Sequence, residues 1–378
     1  MSLNWLIANH FRNLSDIEFR PSGGLNLIYG QNGSGKTSLL EACYFLAMGR
    51  SFRDVAADPV IERNQDQLLL RAGIRTGNQS HELGMTRDRG GNRDLRVNGE
   101  KVLRGTEMAR LLPMLVLGPQ TVDLLLGAPE LRRRFLNWGL FHVEQSAEAE
   151  SFPRQFTRLW DEANRCLRQR NELLRADRST DQELATWSSQ LAESSEQLDI
   201  LRKQYIEAYQ PVFASTVAEI SQLEGVELTY FRGWREDSSL SELFIQDIDI
   251  DKKRGFTQRG FQRADVRISV GGQPAAKVCS RGELKALVWS MVLSQGVLAH
   301  NAGQLSDSAI GHETLYLVDD LASEFDEEHR RRVCHFLLKT GQQILLTGVE
   351  SETLVAACGG QYEGMFHVKH GHVNQEQQ

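Results

Sequence analysis

The run Gly30-Gln31-Asn32-Gly33-Ser34-Gly35-Lys36-Thr37 constrains this chain more than any other stretch. It fits G-x-x-x-x-G-K-[ST] and stands between an apolar run, Leu25-Asn26-Leu27-Ile28-Tyr29, and the helix-like Ser38-Leu39-Leu40-Glu41-Ala42. Strand, glycine loop and helix in that order make a phosphate cradle. The glycines let successive backbone N–H groups turn toward an anion, and the helix N-terminus adds its positive end. Lys36 supplies a point charge and Thr37 an oxygen for Mg²⁺, so the chain is expected to bind a nucleoside triphosphate.

A chain of 378 residues is too long for one small core and is expected to form two compact units, or one with a large insertion. Its formal charge of −7 excludes a surface that is basic all over. Any nucleic-acid contact must then come from a local cluster of Lys and Arg. The five cysteines, Cys43, Cys166, Cys279, Cys334 and Cys358, stand far apart with no metal-ligand spacing, which fits free thiols in a reducing cytoplasm. Asn4 interrupts the start and no basic segment leads into an apolar one, so no signal peptide is expected. The apolar windows at 111–117 and 286–299 are too short or too interrupted to span a bilayer.

Along the chain, residues 3–7 and 14–19 alternate apolar and polar and predict two adjacent strands. Residues 67–74, 81–87 and 95–102 predict an antiparallel β lobe, the last run turning at Asn98-Gly99. Residues 111–117 predict a strand buried on both faces, which ends in Gly118-Pro119 and leaves Gln120 near a strand's carboxyl end. Pro129 opens a helix whose Arg132-Arg133-Arg134 reads either as a DNA or phosphate contact or as a solvated face. From 152 to 223 long polar helices follow, with one apolar stripe through Leu159, Ala163, Cys166 and Leu173. A second runs through Leu184, Trp187, Leu191, Leu198, Leu201, Tyr205 and Ala208, and a polar break at 176–181 predicts a helical hairpin. After a strand at 226–232, residues 251–263 interleave Lys, Arg, Gly and Phe, a mixture suited to nucleic-acid contact or to a plain loop.

Two further elements complete a nucleotide site. Ser280-Arg281-Gly282-Glu283 precedes a long apolar-faced helix, and a Ser-x-Gly pair there offers a hydroxyl, a bare N–H and a helix dipole to a γ-phosphate. Ser is also a common N-cap, so the tetrapeptide alone is weak. Leu315-Tyr316-Leu317-Val318 then ends in Asp319 and Asp320, placed to hold Mg²⁺ and to orient or deprotonate water.

At this point the chain resembles the ABC-type ATPases, in their SMC-like branch, and within it the bacterial RecF family of DNA replication and repair proteins. Gly30 to Thr37 resembles Walker A, Ser280 to Glu283 the signature, and Leu315 to Asp320 with Ala322-Ser323-Glu324-Phe325-Asp326 the Walker B motif and D-loop. Phe11-Arg12-Asn13-Leu14, Gly49-Arg50-Ser51, Arg96-Val97-Asn98-Gly99 and Arg132-Arg133-Arg134-Phe135-Leu136 extend the likeness over nearly the whole chain. The resemblance implies an α/β ATPase head, a mixed sheet plus an antiparallel β lobe, at 1–128 and 263–378, with an α-helical arm inserted at 129–262. It implies ATP held by Gly30, Gln31, Asn32, Gly33, Ser34, Gly35, Lys36, Thr37 and Ser38, with Arg12 and Asn13, and covered by Ser280, Arg281, Gly282 and Glu283 of a second copy. Thr37, Asp319 and Gln120 would approach Mg²⁺, and Lys36, Asp319, Asp320 and Gln120 would serve hydrolysis. It further implies a cytosolic protein that binds duplex DNA and single/double-strand junctions. Such a protein pairs with itself on ATP and acts with RecO and RecR to load recombinase at gaps.

The sequence departs from transporter ATPases in three places. Cys279-Ser280-Arg281-Gly282-Glu283 replaces Leu-Ser-Gly-Gly-Gln, Asp320 stands for Glu, and Thr347-Gly348 falls where they place a switch His. A shorter base and no His predict slow, DNA-stimulated hydrolysis. The alternative, the ATPase subunit of a membrane transporter, is disfavoured by the helical arm and altered signature; a kinase or GTPase would have no use for Ser280 to Glu283. His367, His370 and His372 lack a convincing fourth ligand, so Mg²⁺ with the nucleotide is the one ion expected.

Overall fold

The apolar run before the glycine loop becomes the strand Leu25–Tyr29, inside a six-stranded sheet. The sheet's order is His372–Gln375, Gly364–Lys369, Leu25–Tyr29, Ile344–Gly348, Leu315–Val318, Met114–Leu117. Every neighbouring pair is parallel except the edge pair of His372–Gln375 with Gly364–Lys369. Parallel strands align their carboxyl ends, so Gly30, Gly118 and Asp319 leave the sheet along one edge, where ligands of open α/β sheets collect. Leu315–Val318 and Ile344–Gly348 are buried at every residue, as continuous apolar runs require.

The computed structural model describes residues 1–53, 60–146, 155–176, 180–304 and 313–376. The chain divides into two compact units. One takes Met1–Val122, Ser215–Leu223 and Ser280–Gln378; the other takes Asp123–Ala214 and Glu224–Cys279.

The first unit holds the mixed sheet and a second, antiparallel sheet. That sheet's order is Leu14–Phe19, Ser2–Phe11, Gln67–Thr76, Gln79–Asp88, Arg93–Val97, Glu100–Val102. Asn98 and Gly99 both take positive φ, 53° and 82°, as the two-residue hairpin read from the sequence requires. Phe11 and Leu70 of this sheet share one core with Leu317 and Leu345 of the other and with Leu39, Phe45 and Leu46 of the helix Lys36–Met48. The expected strand at 111–117 is shorter. A helix, Gly105–Leu111, ends before Pro113, and the strand is Met114–Leu117. Proline disfavours helix at the residue before it and gives no N–H to a ladder.

In the second unit the helices Phe156–Arg175 and Asp181–Ile220 run antiparallel. The Cys166 thiol meets Gln190 Oε1 at 3.8 Å, and Arg170 Nε donates to Ser188 Oγ at 2.9 Å. The polar break between them includes residues 177–179, which lie outside the described residues. Two stripe positions shift by one: Leu174 and Tyr209 are buried, whereas Leu173 is half-buried and Ala208 exposed. The triple arginine splits into separate roles. Arg132 forks onto Asp265 at 2.7 and 3.2 Å, Arg133 donates to Ala264 O at 3.4 Å, and only Arg134 is exposed, paired with Glu130. Most of that run therefore fastens the helix Pro129–Ser146 to the strand Asp265–Val270 rather than facing a ligand. No helix among the described residues is long and apolar enough to cross a membrane.

The helix Arg281–Gln304, in the first unit, approaches the mixed sheet at Gly296. A Cβ there would lie 2.0 Å from Tyr316 Oη and 3.1 Å from Leu115 Cδ1. Tyr316 is fully buried and has no room to retreat. Gly296→Ala is therefore expected to destabilise the protein by about 1–3 kcal/mol through overpacking, read as a lower midpoint in denaturant unfolding.

Candidate functional site

A cavity of about 630 Å³ opens over the glycine loop. Asn32, Gly33, Gly35, Lys36, Thr37 and Ser38 line its floor, and Asp319 and Asp320 one wall. Gly30 sits below, with φ 155°, where a Cβ would lie 2.2 Å from Val368 O, so only glycine fits. Above Gly33 a Cβ would meet nothing within 4 Å, which leaves its backbone open to a ligand. Lys36 Nζ donates to Gly30 O at 2.6 Å and Gln31 O at 3.0 Å. Burial pulls its ammonium below the usual range, opposed by Asp320 and Asp319.

The acidic wall owes its shape to the strand order. Ile344–Gly348 lies between the loop's strand and Leu315–Val318, so Thr347 reaches across to the two aspartates. Thr347 Oγ1 donates to Asp319 Oδ1 at 2.9 Å and accepts from the Asp320 N–H at 2.9 Å. Thr37 Oγ1 donates to the same Asp319 oxygen at 2.9 Å. Burial raises the Asp319 carboxyl above the ordinary range, and the two hydroxyls offset part of that. Asp320 takes the left-handed conformation, φ 53° and ψ 51°. A buried carboxylate beside a threonine hydroxyl, at the mouth of a phosphate cradle, is an oxygen donor set that fits Mg²⁺.

Arg12 and Asn13 join the loop from the turn between Ser2–Phe11 and Leu14–Phe19. Asn13 Nδ2 donates to Gly33 O at 3.2 Å. Arg12, at φ 59°, forks onto Glu41 with 3.1 and 2.7 Å bonds, and Arg53 Nε lies 3.6 Å from the same carboxylate. Glu41 is fully buried in the helix Lys36–Met48. Arg53, Arg63 and Arg89 also line the cavity, and Arg89 donates to Glu62 O and Gln65 O. Glu41, Arg53, Arg63 and Arg89 are the residues the sequence reading missed, and Thr347, read there only as standing where transporters place a switch His, holds the acidic wall. A lone Glu within Leu39-Leu40-Glu41-Ala42-Cys43 was the available signal.

Two expected groups stand elsewhere. Gln120 is exposed in the turn Pro119–Val122 and does not line the cavity. Ser280, Arg281, Gly282 and Glu283 are exposed at the start of the helix Arg281–Gln304, and none of them lines the cavity either. Ser280 and Glu283 form a capping box: the Ser280 N–H donates to Glu283 Oε2 at 2.7 Å, and the Glu283 N–H to Ser280 Oγ at 3.3 Å. A Cβ on Gly282 would meet nothing within 4 Å. His367, one of the C-terminal histidines, stacks on Tyr29 with ring centroids 4.7 Å apart.

The family described as RecF/RecN/SMC N terminal domain matches residues 2–374. The DNA replication and repair protein RecF of Stutzerimonas stutzeri (strain A1501) is 39% identical over 377 residues, 99% of this chain and 98% of that one. RecF of Cellvibrio japonicus (strain Ueda107) is 38% identical over 378 residues, 99% of each chain. Among solved structures, the recombination mediator protein RecF–ATPrS of the RecFOR pathway aligns with TM-score 0.82 at 22% identity, covering 100% of this chain and 98% of that one. An Smc head bound to the C-terminal winged-helix domain of ScpA aligns with TM-score 0.58 at 12% identity, covering 100% and 97%. At such identities these two structures establish the fold alone: a mixed α/β head with an antiparallel sheet and a helical region.

Glu41 faces two guanidiniums, the Arg12 fork and Arg53. Glu41→Ala would remove the fully buried carboxylate they share and is expected to cost about 3–5 kcal/mol, measured by denaturant unfolding, with Glu41→Gln costing less.

Proposed function

The chain belongs to the RecF family of SMC-like ATPases, and on that premise we propose that it is an ATP- and DNA-binding protein of recombinational repair and replication restart whose ATP-bound dimer is the working state. The observation that carries this reading is the position of Ser280 and Gly282, exposed at a helix start and outside the cavity that Lys36 and Thr37 line. A helix N-terminus with a hydroxyl and a bare glycine N–H suits an anion. In this reading a second copy brings its own, the γ-phosphate of bound ATP.

Each side chain then has a task. The N–H groups from Gly33 to Thr37 and the Lys36 ammonium hold the β- and γ-phosphates, while Arg12 and Asn13 keep the loop and its helix in register through Glu41 and Gly33. Thr37 and Asp319 would hold Mg²⁺, which when bound offsets the charge of the phosphate oxygens. Asp320 orients water and accepts its proton. Thr347, bonded to both Asp319 and the Asp320 N–H, keeps the two carboxylates apart and aimed. Asp320 is short and a threonine stands where a proton-accepting His is found in transporters, so turnover is slow and ATP acts mainly as a switch for dimerisation. The family membership supports DNA at single-strand gaps as the target, RecO and RecR as partners, and the cytosol as the setting.

Light scattering tests the central claim: ATP but not ADP should convert the protein from monomer to dimer. Ser280→Arg should abolish that conversion while nucleotide binding persists; an intact ATP-driven dimer in this variant sinks the two-copy site. Asp320→Asn should keep ATP binding, lengthen dimer lifetime and slow hydrolysis by a factor of about 10² or more. An unchanged rate removes Asp320 from the role of base.

A further inference from the structure

The stretch 251–263, conspicuous in the sequence for its Lys, Arg, Gly and Phe, takes no part in the nucleotide site. It forms the end of the helix Ile248–Arg254 and the turns that follow, and with residues 231–235 it walls a groove of about 500 Å³ within the second unit. Four guanidinium groups, from Arg235, Arg254, Arg259 and Arg263, line this groove with one carboxylate, Asp247. Asp247 is already paired with Arg259. Arg254 donates to the neutral Oε1 of Gln258, Arg263 lies 5.9 Å over the Phe256 ring, and Arg235 reaches Asp237 at 3.9 Å on the surface.

Trp234 lines the same groove at 2% exposure, and its Nε1–H has no hydrogen-bond partner among the described residues. Arg235, Arg254 and Arg263 thus make one surface ion pair, one neutral hydrogen bond and one ring contact, whereas each guanidinium carries five N–H donors. Their complement is an anion with several acceptor oxygens. Phe231 and Ile250 flank them, 40% and 49% exposed, and give apolar surface for something larger than a free ion.

We infer that this groove binds the phosphodiester backbone of DNA, with Arg235, Arg254 and Arg263 donating to phosphate oxygens and Phe231 and Ile250 packing against the sugars. The inference rests on the DNA-binding reading above and assigns it a place. Guanidinium forks match phosphate geometry. In a chain of net charge −7 a cationic groove also gathers the strand that a uniform surface would repel.

The test is fluorescence anisotropy of labelled duplex, single-stranded and gapped oligonucleotides with the full chain plus ATP, over a range of salt. The variants are Arg235→Gln/Arg254→Gln/Arg263→Gln together, and Arg254→Gln alone in case the triple change impairs folding. The triple variant should bind at least about tenfold more weakly, with a log K against log salt slope shallower by about 2–3. ATP-driven self-association should stay unchanged. Arg254→Gln should flatten the slope by about one. Wild-type affinity and slope in these variants overturn the groove while leaving the DNA reading intact; no DNA binding by the wild type overturns the DNA reading itself, and the groove with it. Inorganic phosphate competing as well as an oligonucleotide at equal phosphate would make this a small-anion site. An acidic peptide that binds as tightly and is lost in the same variants would make it a protein-docking site. Either result overturns the proposal.

Discussion

The parallel pairing of Leu25–Tyr29 with Ile344–Gly348 is the constraint on which the rest of the site depends. It joins segments separated by most of the chain, with Gly348 level with Tyr29 and, on the other side, Val318 level with Leu346. Any one-residue slip would turn Thr347 away from Asp319 and carry the acidic wall out of reach of Thr37. The sheet is buried on both faces here, so a slip would also strand apolar side chains in the wrong layer. Catalytic geometry and core packing are thus fixed by the same hydrogen bonds.

Burial then sets the chemistry. Asp319 and Lys36 are both pushed toward their neutral forms by desolvation and held back by neighbours: two hydroxyls for the acid, two carboxylates for the base. Such a site is poorly matched to itself and well matched to a ligand that brings both a cation and phosphate charge. Arg12 and Glu41 behave differently. They satisfy each other across the loop's helix, which leaves the guanidinium as a brace for the cradle.

Features written in neighbouring residues were legible in the sequence. The glycine loop, the Asn98-Gly99 turn and the acidic end of Leu315–Val318 are local patterns with one physical reading each. The helical stripes were legible to within one position: steps of three and four both fit a helix, and the structure takes the step of four from Tyr205, so that Tyr209 rather than Ala208 faces inward. Pairings across long separations were not legible. Arg132 with Asp265 spans 133 residues and Arg12 with Glu41 spans 29, and an arginine shows its partner only in space. Thr347 was legible only as a departure at the switch-His position, because its bonds to Asp319 and Asp320 depend on a strand order that only the fold shows.

The exposed signature bears on how binding could be made conditional. Ser280 and Glu283 already satisfy each other through the capping box, so the helix start is stable without a ligand. A phosphate approaching Ser280 meets the Glu283 carboxylate beside it, and the Ser280 N–H is already committed to that carboxylate. A standard signature carries a neutral Gln at this position. In the proposed dimer, association through this surface would start from like-charge repulsion, and only an anion with its charge largely offset, as in a Mg²⁺-bound triphosphate, would engage the helix dipole at little cost. Discrimination against a bare or misplaced nucleotide would then rest on one acidic side chain, and the readiness of two copies to join on how completely the cradle at Lys36 and Asp319 is filled.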